Sequence, residues 1–221
     1  MHLPSIVGAG CALLTGLVQA VSPSCSPPRE VIERLMSADC EACWSGTAPH
    51  PLPRSSWVLD WIAPATDNAD APLAAAALPE AGARLEALAS PALSDGAREF
   101  RWALAARPAV HLQVGGGPAW NGYLGLQLQT RGKPPAGSAA YLALVENIPA
   151  GSDGSPVARR LVRNVAGPLV IEPSGQRSTQ WRALRIPEGA KPERLQGAAW
   201  WVDGEGRLRG MALEACAADR R

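Results

Sequence analysis

The sequence predicts an α/β plus all-β chain, with an α/β half over residues 21–115 and a β-sandwich-like half over 116–221. Three observations carry that reading. Strand-like and helix-like apolar patterns alternate up to Gly115-Gly116-Gly117, and beyond them short alternating strands follow one another between Gly/Pro-rich loops such as RGKPPAGS and PAGSDGSP. Charge divides at the same place: residues 21–115 hold 7 Arg against 11 Asp/Glu, a net of −4, whereas 116–221 hold 14 Lys/Arg against 9 Asp/Glu, a net of +5. Halves of opposite sign suit two regions that pack on each other. The whole chain is near neutral at +1, which gives no field that would draw nucleic acid, and its 47% apolar share marks it as globular.

Each element follows from its local pattern. PPREVIERLMS (27–37) alternates Val31, Glu33, Leu35 against Ile32, Arg34, Met36 and reads as a strand buried on both faces for part of its length. WVLDWIAP (57–64) is a second strand, stopped by Pro64. Residues 70–90 read as helix, with Asp70 as cap and Pro79 and Gly82 dividing it into two pieces. SDGAREFRWALAAR (94–107) reads as another helix capped by Ser94, and AVHLQV (109–114) as a strand ended by the glycine run, taken as an interdomain turn. In the second half, 123–130, 139–147, 158–167 and 180–187 are strands, and 198–215 is a hairpin turning at Asp203-Gly204-Glu205-Gly206. Trp57 and Trp61 fall on one strand face and Trp200 and Trp201 on opposite faces, a packing pattern.

Residues 1–20 read as a cleavable export signal, apolar and small-residue-rich, with Val18-Gln19-Ala20 before the cleavage point. Gly8 makes Cys11 a poor lipidation site. The expectation is a periplasmic or secreted protein with no membrane span beyond the signal. Removal of the signal leaves Cys25, Cys40, Cys43 and Cys216, an even set in an oxidising compartment, so Cys25–Cys216 is the structural disulfide candidate beside Cys40–Cys43.

The one motif that reads as chemical is Cys40-Glu41-Ala42-Cys43, just past a strand end. It could be a redox pair, a soft-metal clip or a staple. A reactive thiolate draws stabilisation from a helix N-terminus, but Gly46, Pro49, Pro51 and Pro53 end any helix near Ala48, because proline inside a helix costs about 3 kcal/mol. Asp39 and Glu41 add like charge that disfavours a thiolate. Zinc would need four ligands, and the mature chain adds only His50 and His111, a loop residue and a sheet-surface residue, to the cysteines. No G-x-S-x-G pattern is present, and the glycine run has no helix after it to cradle phosphate, so no cofactor is expected. Trp44 could shield the sulfurs from water.

Val31-Ile32-Glu33-Arg34-Leu35 running into Ser37-Ala38-Asp39-Cys40-Glu41-Ala42-Cys43 resembles the start of an uncharacterised family of exported bacterial proteins, in which a thioredoxin-like half precedes a β-rich half. Arg107-Pro108 before Ala109–Leu112 looks like that family's Thr-Pro strand, and LVEN, VARRLVRNVAGPL and AAWWVDGEGRLRGMAL look like its closing strands. The resemblance implies a thioredoxin-like domain in which Pro108 is a cis-proline packed against the cysteine pair, Cys40 the attacking sulfur and Cys43 the resolving one. It implies a thiol–disulfide oxidoreductase or redox-linked accessory protein acting on protein thiols or disulfides. The competing reading is a non-enzymatic binding or scaffold protein whose Cys40–Cys43 bridge only braces a loop.

Overall fold

In the computed structural model, residues 28–46 and 55–214 are described. The export signal, Cys25, His50 and Cys216 therefore lie outside the described residues. The first strand, β1 (Glu30–Ser37), is buried along nearly its whole length, and it leads through Cys40 into a single short helix, α1 (Glu41–Ser45). Strand β2 (Ser56–Ala63) runs parallel to β1 from Glu30↔Ser56 to Ser37↔Ala63. Residues 70–90 are helical only in part: a 3-10 turn at Ala74–Ala76 follows Leu73, and α2 (Pro79–Ala87) begins after Leu78, so Asp70 caps neither, Pro79 opens the helix as its first turn allows, and Gly82 lies inside it without dividing it.

The regular element within residues 94–107 is a strand, not a helix. β3 (Ala97–Ala103) pairs antiparallel with β1 from Met36↔Ala97 to Glu30↔Ala103. Arg98, Phe100 and Trp102 alternate with the exposed Ala97, Glu99, Arg101 and Ala103, and this period-2 pattern outweighs the helix propensity of the alanines and arginines once β1 offers its edge. The glycine run is also not an interdomain turn. It lies within β4 (Val110–Trp120), which pairs with β5 (Tyr123–Gly132) through an irregularity between Gly116 and Ala119. The chain continues through β6 (Ala139–Ile148), β7 (Arg159–Leu169), β8 (Arg177–Arg185), β9 (Leu195–Val202) and β10 (Leu208–Leu213).

These strands form two sheets, a mixed seven-stranded one ordered β10-β9-β6-β7-β2-β1-β3 and a three-stranded one ordered β4-β5-β8. Strands from both sides of residue 115 share the larger sheet, and β2 meets β7 in a parallel pairing at Asp60↔Leu161. One face of that sheet buries Val31, Leu35, Leu59, Trp61 and Trp200 together with Ala81 and Leu85 of α2. The other face is covered in two places. Over β6 and β9, Leu142, Leu144 and Trp201 meet Val114, Leu126 and Leu128 of the smaller sheet, a sheet-on-sheet core. Over β1, β2 and β7, Met36, Ile62 and Leu161 pack with Trp44 of α1. The fold is β-rich, and the cysteine segment is one of the lids on its second face.

Candidate functional site

Cys40 and Cys43 form a disulfide with S–S 2.02 Å and Cα–Cα 5.3 Å, immediately beyond the C-terminal end of β1. The segment is tied down on both sides. Cys40 N–H donates to Ser37 O (3.0 Å), Ala38 N–H to Ala63 O of β2 (2.9 Å), and Leu73 N–H to Ala38 O (3.0 Å). Cys40 is the N-cap of α1, and its Sγ accepts the Cys43 backbone N–H at 3.2 Å. Cys40 is 8% exposed, and Cys43 is half-buried against the Met36–Trp44 cluster. Asp39 accepts a hydrogen bond from Asn68 Nδ2 at 2.7 Å, so one of the two flanking carboxylates is engaged, while Glu41 is exposed. The helix is five residues long, shorter than the limit the downstream prolines set.

What the sequence did not single out is the charged bridge beneath this helix. Arg159, at the start of β7, has a side chain 1% exposed. Its Nη2 donates to the carbonyls of Cys43 (3.0 Å), Trp44 (2.6 Å) and Gly46 (3.3 Å). These are carbonyls at the C-terminal end of α1, where the intrahelical N–H donors run out at the extended Gly46. Nε of Arg159 donates to Ser155 Oγ (2.8 Å), and its guanidinium carbon lies 4.8 Å from the Trp44 ring centre. Nη1 reaches Asp60 Oδ1 at 3.3 Å. Asp60, 1% exposed in β2, also accepts Arg34 Nη1 (3.4 Å) and the Arg160 backbone N–H (3.3 Å). Burial pushes the Asp60 carboxyl up, against the opposing pull of Arg34, Arg159 and the Arg160 N–H. The signal for this bridge was one residue: a carboxylate inside the apolar strand WVLDWIAP has to find a partner once buried. Nothing in VARRLVRN marks Arg159 apart from its neighbours.

Trp44 is 8% exposed and its Nε1 donates to Asp153 O at 2.7 Å, which fixes the indole over the cysteine segment. Pro108 is far from this site. It shares a cavity with Pro28, Arg29 and Leu104 at the N-terminal end of β1, whereas Cys40 follows the C-terminal end. Eight strand residues, roughly 25 Å, separate the two ends. Nor is the Arg107–Pro108 bond cis; among the described residues the cis bond is Gly167–Pro168. The expectation for Pro108 fails because the strand lying antiparallel beside β1 is β3, entered by Asp95-Gly96, and not the Pro108 strand. Gly96 takes the near position, its carbonyl accepting the Ser37 N–H at 3.0 Å. His111 lies exposed on β4, in the smaller sheet.

No protein-family model matches the sequence, and no curated protein matches it. Among solved structures, HBP35 of Porphyromonas gingivalis is similar, with a TM-score of 0.53 at 12% identity over 86% of this chain and 75% of that one. At that identity the likeness is one of fold alone.

Proposed function

We propose that the Cys40–Cys43 pair is the working centre of an exported thiol–disulfide oxidoreductase or redox-linked accessory protein built on a thioredoxin-like half. The observation that carries this reading is the position of the disulfide: it directly follows β1, a buried strand flanked by parallel β2 and antiparallel β3. A brace needs no such place, but exchange chemistry benefits from a pair fixed at a strand end with one sulfur already accepting a backbone N–H.

In the exchange, a partner thiolate attacks one sulfur, the Cys40–Cys43 bond breaks, and a mixed disulfide forms. The partner's second thiol then attacks its own sulfur, so the partner leaves with a disulfide and the cysteine pair keeps two electrons and two protons. Cys43 is the more exposed sulfur carrier, so the mixed disulfide belongs on Cys43, and Cys40 leaves as the thiolate that the Cys43 N–H supports. These roles are the reverse of those the family resemblance suggests.

A second reading is favoured by Pro108 lying at the other end of β1 with no cis bond, and by the shortness of α1. In that reading the bridge only braces the lid, and closing so small a loop stabilises by roughly 2 kcal/mol. Turnover on a model protein, followed both as oxidation of its dithiol and as reduction of its disulfide, with Cys40→Ser and Cys43→Ser tested for trapped mixed disulfides, separates the two. The redox reading expects turnover in the wild type and trapping by Cys40→Ser; trapping by Cys43→Ser alone restores the original roles, and an inert wild type with no trapping leaves the brace.

A further inference from the structure

The outer face of the β4-β5-β8 sheet is unlike the rest of the surface. Residues 124, 126, 128 and 130 of β5 turn inward and are buried, so the odd-numbered residues face out. Register then fixes the rows across the sheet. At one end Trp120 lies opposite Tyr123, and Tyr123 opposite Arg185. The next row toward the other end is small, with Gly125 opposite Ala183. In the middle Gln127 lies opposite Trp181, followed by Gln129 opposite Thr179. At the far end His111, Arg131 and Arg177 stand side by side.

Two features of this face set it apart. Trp120, Trp181 and Tyr123 are 82%, 62% and 47% exposed, three large aromatic side chains left in water on a single sheet. Arg131 and Arg177 are direct cross-strand partners of like charge, an arrangement that destabilises a sheet. Neither guanidinium is paired with a carboxylate among the described residues. No Asp or Glu occurs in any of the rows.

We propose that this face binds an acidic polysaccharide lying along the strands. Indole and phenol rings exposed on a flat sheet give the C–H-rich faces of sugar rings an apolar surface to cover. The amides of Gln127 and Gln129, already linked Nε2 to Oε1 at 3.3 Å, offer donors and acceptors to hydroxyl groups between them. The arginines receive carboxylates, for which the guanidinium fork is suited.

Charge spacing distinguishes this ligand from single-stranded nucleic acid. In the outward rows the cations sit at the two ends, separated by the eight residues from Tyr123 to Arg131, about 27 Å, with an uncharged middle; the exposed Arg182 alternates to the other side of β8 and turns its Nη1 to the Trp181 carbonyl at 2.7 Å. A nucleic acid strand carries a phosphate on every nucleotide and binds along a groove that is positive throughout. A sugar chain with intermittent carboxylates fits an uncharged, aromatic and amide-lined middle.

Affinity electrophoresis of the full chain through gels containing polygalacturonate, dextran or no polymer tests this, with fluorescence titration against an oligothymidylate strand as the nucleic-acid arm. The expected result is retardation by polygalacturonate that weakens with salt, with little effect from dextran. Trp181→Ala and the pair Arg131→Gln/Arg177→Gln should each weaken it about tenfold, in line with the loss of one stacked ring or the ionic contacts. These positions are exposed, and circular dichroism of each variant verifies its fold. Absence of retardation, tighter binding to oligothymidylate, or self-association that Trp181→Ala abolishes would each overturn the proposal. None of these readouts depends on the cysteine pair.

Discussion

Glu33 and Arg34 are neighbours in β1, and the pleat sends them to opposite faces of the seven-stranded sheet, where each enters a buried charge cluster of a different kind. Glu33, fully buried, accepts Arg84 Nε at 2.9 Å and Nη2 at 2.6 Å in a two-point pair, and Trp102 Nε1 at 2.7 Å. That cluster holds one anion and one cation and pins α2 to the sheet, and Arg84 Nη1 donates onward to the Gly206 carbonyl in the turn between β9 and β10 at 2.5 Å. On the other face Asp60 stands between two guanidiniums, and the second of these, Arg159, turns its Nη2 to the cysteine helix. The first cluster fastens a lid by an ion pair. The second fastens a lid and connects the seam between β2 and β7 to the disulfide. Similar buried charges thus do different work according to which segment their remaining donors reach, the β9–β10 turn for Arg84 and the cysteine helix for Arg159.

The largest effect that would break this comparison is Arg159→Met. It leaves the carbonyls of Cys43, Trp44 and Gly46 without their donor and Asp60 with one guanidinium fewer, so denaturant unfolding should show a loss of about 3–5 kcal/mol. Reduction of the disulfide by dithiothreitol should also quicken severalfold, because α1 loses its C-terminal anchor. Glu33→Gln sharpens the contrast: unfolding should show a loss of about 1.5–3 kcal/mol from the weakened charge-assisted bonds, with the rate of disulfide reduction unchanged. Trp44→Phe, which removes the 2.7 Å bond to Asp153 O, should cost about 1 kcal/mol in the same unfolding measurement.

Acid titration of stability distinguishes two carboxylates of opposite behaviour. With its carboxyl raised by burial, Asp60 holds a proton more firmly in the folded chain than in the unfolded one. Its contribution therefore favours folding at low pH and declines as pH rises from 3.8 through the raised folded value. Asp203 is the reverse case. Burial pushes it up, but hydrogen bonds from Arg209, Arg207 and the Glu205 N–H outweigh that and bring it to about 2. Its stabilisation is present above 3.8 and lost as pH falls from there to about 2. Asp203→Asn should remove that acid loss, and Asp60→Asn should remove the opposing slope.

Pro108→Ala is the smallest expected change. It should leave the rate of disulfide reduction untouched and stability within about 1 kcal/mol.

Much of the architecture was legible in the residues, and the misses have particular causes. The alternation of Val31–Met36 and the apolar run around Asp60 gave β1 and β2, and the proline content after Gly46 bounded α1 at the right order of length. Trp57 and Trp61 do share a core face, and Trp200 and Trp201 do divide between two cores, because strand period alone decides sidedness. The strand at Ala97–Ala103 was hidden because alanine and arginine carry helix propensity, and only pairing with β1, more than sixty residues earlier in the chain, tips the balance. The same non-local fact misdirected the choice of Pro108, since identifying which strand lies beside the cysteines requires the sheet order. Arg159 was invisible for a third reason: its role is set by three backbone carbonyls more than a hundred residues away.

The reduction potential of the Cys40–Cys43 pair, obtained by equilibrating the full chain in glutathione buffers, bears most directly on the redox reading. That reading predicts a potential above about −300 mV, within reach of thiol exchange, and a further upward shift in Arg159→Met but not in Glu33→Gln. A potential well below about −300 mV in the wild type would contradict it and leave the disulfide as a structural brace.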